Sequence, residues 1–139
     1  TMHNRFFEQV SDFNRKVIGF EQPKEVTRIP EEVKKLTLIQ LREEIQELED
    51  SHTTTDELDA LIDLVYFAYG AMYKMGISPH VFGVAATMVH EANMTKAAGK
   101  KAARGYDGNA MDAVKPKDFV PPEGLIAVLI GDKEYKQGE

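Results

Sequence analysis

The chain has 139 residues, 42% of them hydrophobic, which is enough for one domain with a real core. Its net charge of −6 argues against a general nucleic-acid binder. With no cysteine, disulfides, thiolate metal sites and cysteine nucleophiles are excluded, and no apolar run reaches the ~18 residues of a membrane span.

The opening stretch TMHNRFFEQV has no apolar leader, so the cytoplasm is the expected location. Phe6, Phe7, Val10, Phe13 and Val17 recur at helical spacing. They predict a first helix over 4–18, ended near Gly19 and carrying Asn14 in its middle. Residues 20–30 hold two prolines and read as an irregular connection. A second helix is predicted over Glu31–Asp50, with Pro30 at its start and Glu31 and Glu32 at the positive end of its dipole. Its predicted apolar face is Leu38, Leu41, Ile45 and Leu48.

After a polar turn over 51–55 comes the central stretch, Asp56 to Gly76. It is apolar nearly all round, which predicts a buried helix. One stripe is different: Asp56, Asp59 and Asp63, continued by Tyr66, Gly70 and Tyr73. Asp56 is close enough to the start to serve as a capping acid. Ser78-Pro79 opens a fourth helix through about Met94, faced by Val81, Val84, Ala85, Met88 and Val89. From Thr95 to Pro122 the periodicity is lost. This part reads as a long functional loop, or as a segment that orders on ligand binding. EGLIAVLI at 123–130 reads as a short helix, because the chain offers no strand partner for it. The prediction is a single all-α domain over 1–139, a bundle of four to five helices. Its helical core spans 4–95, with a loop and C-terminal segment over 96–130.

Charge is unevenly placed. Residues 31–63 hold eleven acids and three bases, whereas 96–117 hold six bases and two acids. The second helix carries Glu43, Glu44 and Glu47. Two helices joined by a short turn are antiparallel neighbours, so Glu44 and Glu47 can meet Asp59 and Asp63. Four carboxylates without clustered His or Cys make an all-oxygen site that suits Mg²⁺, with Mn²⁺ as a substitute. Mg²⁺ is usually shared with substrate phosphates. The basic segment, with Asn93 and Lys96 on one face of the fourth helix and Lys115 further on, then becomes a phosphate-binding candidate. Set against this, a glutamate-rich helix is ordinarily a solvated face, and the acidic and basic halves can simply neutralise each other.

The combination resembles the all-α nucleoside triphosphate pyrophosphohydrolases, which include MazG proteins, dimeric dUTPases and phosphoribosyl-ATP pyrophosphohydrolase. The residues that carry the resemblance are Glu43-Glu44-Ile45-Gln46-Glu47 and Asp63-Leu64-Val65-Tyr66-Phe67-Ala68-Tyr69-Gly70. Further on, Asn93-Met94-Thr95-Lys96, Asp107-Gly108, Lys115-Pro116 and Phe119 are similar to a MazG-like branch. The resemblance implies that Glu44, Glu47 and Asp63 ligate one to three Mg²⁺ ions and that Glu43 sits near the attacking water. It implies too that Asn93, Lys96 and Lys115 face the phosphates. The family usually has an acid where this chain has Ala60; Asp59 is the expected substitute, with Asp56 as an alternative frame. The expected activity is Mg²⁺-dependent cleavage of a nucleoside triphosphate to monophosphate and pyrophosphate. Asn14 is expected near the base, and a homodimer or tetramer is expected to share the helical core. Two other readings stay open here: a helical interaction protein with solvated acids, and a nucleotide binder that lost catalysis through Ala60.

Overall fold

A computed structural model describes residues 4–136 of the chain, which are mostly helical. Helix α1 (Arg5–Phe13) starts on Asn4, whose side chain accepts the Phe7 N–H at 2.8 Å. It runs into one wide turn of π-helix (Asn14–Ile18), which Gly19 ends in the left-handed conformation. The predicted first helix is therefore present, with its last turn loosened.

Helix α2 (Glu31–Asp50) and helix α3 (Thr54–Lys74) follow, and a short connection turns α3 back along α2. The cap of α3 is Thr53, whose Oγ1 accepts the Asp56 N–H at 3.1 Å. The cap expected from Asp56 thus belongs to the hydroxyl three residues earlier, and Asp56 is left in the first turn.

The face that α2 turns inward also differs from the apolar face read from the sequence. Thr37 and Glu44 are buried, and Leu41 and Leu48 half-buried beside them, at i, i+4, i+7 and i+11. Leu38 and Ile45 are exposed, the latter by 56%. Rotating the helix by this small angle carries Glu44 into the interior.

With Ala60 the one buried residue of its N-terminal half among the described residues, helix α3 is buried mainly in its C-terminal half. Gly70, Ala71 and Tyr73 are buried there, while Leu58, Leu61, Ile62 and Val65 are exposed. The expectation of a helix buried throughout does not hold within one chain. The buried half packs on α1 through aromatic edges: Phe6 and Phe13 on Tyr66, and Phe7 on Tyr69. Its C-terminal end is strapped by 20–27. Tyr73 donates its hydroxyl to the Phe20 carbonyl at 2.8 Å, and the Gln22 amide donates to the carbonyls of Tyr73 and Ile77.

The chain divides into two compact units between His80 and Val81, in the first turn of helix α4 (Pro79–Asn93). The second unit holds a feature absent from the sequence reading. Within 95–122 lies an antiparallel ribbon of β1 (Ala97–Gly99) and β2 (Asp112–Val114). Strands of three residues are too short to display a period of two, so periodicity could not reveal them. Arg104, in a 3₁₀ turn between the strands, pairs with Asp112 and ties the connecting loop to the ribbon. Helix α5 (Glu123–Ile130) lies where a short helix is predicted. Among the described residues, no helix is long and apolar enough to cross a membrane.

Candidate active site

Glu44 is the centre of the first unit's chemistry. It is 8% exposed, on the face that α2 presents to α3. Its carboxyl pKa is pushed up to about 7. The largest cause is a hydrogen bond with Glu47, followed by burial and then by the charges of Glu47, Asp63 and Asp59. Asp63 is also raised, by burial first and then by Asp59 and Glu47. Carboxylates from two helices thus crowd one place, and the charges of Glu47 and Asp59 disfavour ionisation of both Glu44 and Asp63. One oxygen of Glu44, Oε2, is buried with no hydrogen-bond partner. An orphaned buried carboxylate oxygen among like charges has no structural benefit on its own.

The cluster opens into a cleft of about 250 Å³ lined by Glu47, Asp50, Ser51, Asp56, Asp59 and Ala60. Every charged side chain of that lining is an acid. Ala60 itself is buried, 3% exposed, where an acid would point between the helices. Among the described residues, no three His, Asp or Glu side chains already stand at the spacing that holds a metal ion. The chemistry of the donors nevertheless fits a hard cation: all are carboxylate oxygens, one is orphaned, and their mutual repulsion calls for positive charge. Glu47 and Asp59 are exposed. Glu43 is exposed and is not among the groups that raise Glu44. It lies four residues before Glu47, hence on the same side of the helix.

Asn14 is buried at the head of the π-turn. Its amide donates to the Val10 carbonyl at 2.9 Å and lies against Gly70, where an added Cβ would stand 3.1 Å from Nδ2. In the second unit, Asn93 is the last residue of α4 and is exposed; its carbonyl accepts the Lys96 N–H at 3.0 Å. Lys96 and Lys115 each lie over the ring of Phe119, with their ammonium groups 5.4 and 5.3 Å from its centroid. The structure therefore gathers Glu44, Glu47, Asp59 and Asp63 in one unit, and Lys96 and Lys115 in the other.

Residues 10–93 match the model of the phosphoribosyl-ATP pyrophosphohydrolase family. The chain belongs to this family. It is a family of the MazG-like nucleoside triphosphate pyrophosphohydrolase superfamily, whose members hydrolyse pyrophosphate bonds in nucleotides. No curated protein matches the sequence. The stretch matched to the pyrophosphohydrolase family contains both acidic helices and Asn93, and ends before Lys96 and the ribbon.

The sequence reading missed two features. It assigned no role to Phe119, although a lone Phe between Lys115-Pro116-Lys117 and a proline pair is an unusual place for an aromatic residue. It also missed the burial of Glu44. The signal for that was Thr37, Leu41, Glu44 and Leu48 at heptad spacing, which a search for apolar residues alone passes over.

Proposed function

We propose that the protein is a Mg²⁺-dependent pyrophosphohydrolase that cleaves an NTP or dNTP to the monophosphate and pyrophosphate. The observation that carries this reading is the buried, partnerless oxygen of Glu44 among Glu47, Asp59 and Asp63. These four would hold Mg²⁺, or Mn²⁺ in its place. The bound ion would polarise phosphate oxygens and acidify a water. Asp59 takes the part of the acid missing at Ala60, because it raises both Glu44 and Asp63, whereas Asp56 raises neither.

Glu43 is the general base. It takes the proton of the water whose oxygen attacks the α-phosphorus, while the bond from that phosphorus to the bridging oxygen breaks and pyrophosphate departs. Asn93, Lys96 and Lys115 receive the phosphate oxygens and neutralise the charge that develops on the leaving group. Asn14 lies on the base side. The family's name makes phosphoribosyl-ATP one substrate to test beside the common nucleotides, for which a house-cleaning role in the nucleotide pool follows. The place of action is the cytoplasm, with no nucleic-acid or membrane partner.

Turnover in ¹⁸O-labelled water tests the bond that is cleaved. The label is expected in the nucleoside monophosphate; label in pyrophosphate alone would place attack on the β-phosphorus and overturn the mechanism. A second reading, a nucleotide-binding or interaction protein without catalysis, is favoured by one observation, the alanine at position 60. If the natural chain is inactive and Ala60→Asp gains Mg²⁺-dependent turnover, that second reading holds.

A further inference from the structure

We propose that Phe119 is a positioning residue, whose ring holds Lys96 and Lys115 together as one dication for two adjacent phosphates. This rests on the reading of both lysines as phosphate-facing. The ribbon register pairs Ala97 with Val114, Ala98 with Ala113 and Gly99 with Asp112. Lys96 and Lys115 are therefore the next opposed pair, just beyond the ends of the two strands. Like charges set directly opposite on a ribbon repel. Among the described residues neither lysine has an ion-paired carboxylate, since Asp112 is engaged by Arg104.

What both ammonium groups share is the ring of Phe119, within the ~6 Å at which a cation is drawn to an aromatic face. The ring is held from its own side. The Phe119 N–H donates to the Pro116 carbonyl at 3.1 Å, closing a turn that returns the ring to Lys115. Lys96 is fixed separately, by its N–H on the Asn93 carbonyl. Two flexible side chains with like charge are thus drawn to one ring before any anion arrives. The rotamer entropy that an anion would otherwise have to remove is already lost. A pyrophosphate group, with charge on two neighbouring phosphorus centres, matches such a pair better than a single phosphate does.

The test uses the full chain with Mg²⁺ and inorganic pyrophosphate as the probe, read by calorimetry, together with KM and kcat for the best triphosphate. Phe119→Leu removes the ring's quadrupole and keeps an apolar side chain, and Phe119→Trp keeps an aromatic face. Pentafluorophenylalanine in place of Phe119 inverts the quadrupole in nearly the same shape, which decides the matter should Phe119→Leu fold poorly. Pyrophosphate is expected to bind about fivefold more weakly to the Leu and fluorinated forms, with KM raised and kcat little changed. The Trp form is expected to stay within about twofold of the natural chain.

A fluorinated form that binds pyrophosphate like the natural chain overturns the proposal. So does a loss that follows the melting temperature across all three forms. Lys96→Met and Lys115→Met separate the levels. If they weaken pyrophosphate binding and the Phe119 forms do not, only the role of Phe119 falls. If they have no effect, the phosphate-facing reading of the lysines falls with it.

Discussion

Glu44 is costly to the metal-free fold, and that cost is measurable. Its folded pKa of about 7 stands above the 4.5 of an exposed glutamate. Between these values the folded state binds more protons than the unfolded state, so stability falls as pH rises through the window. The groups responsible face Glu44 from both helices: Glu47 on α2, Asp59 and Asp63 on α3. The metal-free protein is therefore expected to melt at least ~2 °C lower at pH 8 than at pH 5, and saturating Mg²⁺ to flatten that difference. Thermal melts at the two pH values check it. Glu44→Gln keeps the shape and removes the charge, so the same melts should lose most of their pH dependence in that variant. The identities of these acids were legible in the sequence from their spacing. The burial of Glu44 was not, because it depends on which edge of a wide apolar face α2 turns inward.

At the scale of elements, the helices were legible because long periodic segments and their end signals agree. Pro30, Ser78-Pro79 and Gly76 all mark real ends. The ribbon was not, since its strands pair by register across a loop and have no pattern of their own. The strap over α3 was likewise invisible, being built from a few scattered hydrogen bonds of Gln22, Thr27 and Tyr73. Gly76 is the position on which that strap depends. Its φ is +90°, and an added Cβ would stand 2.7 Å from the Glu25 carbonyl oxygen, a backbone atom with little room to retreat. Gly76→Ala is expected to destabilise the fold by about 2–3 kcal/mol, from left-handed strain plus displacement of the strap. Urea denaturation measures it; a loss under about 0.5 kcal/mol would show that the strap yields freely.

For the whole molecule, the apolar surface of α3 carries the expectation of a partner to a test. Leu58, Leu61, Ile62 and Val65 fall at i, i+3, i+4 and i+7, on the side of the helix away from Ala60 and Asp63. They are exposed in the chain, Leu58 by 58%, and Leu38 and Ile45 of α2 are exposed as well. A continuous exposed apolar stripe is the kind of surface that interfaces use. A second copy is the occupant that the sequence reading expects, with the helical core shared between the copies. Sedimentation velocity is expected to give at least a dimer for the natural chain. Ile62→Glu, a charge set in the stripe, should release monomers. A natural chain that sediments as a monomer at micromolar concentration would remove the dimer from the account.

The most direct test of the central claim is a product assay across the common NTPs, dNTPs and phosphoribosyl-ATP. It resolves pyrophosphate from orthophosphate, with and without Mg²⁺, for the natural chain and for Glu44→Gln. The account predicts pyrophosphate release from at least one nucleotide, dependent on Mg²⁺ and reduced at least ~100-fold by Glu44→Gln, a loss at or beyond that seen for the outer partners of metal ligands. Release that persists without metal, or that is unchanged in Glu44→Gln, would contradict it.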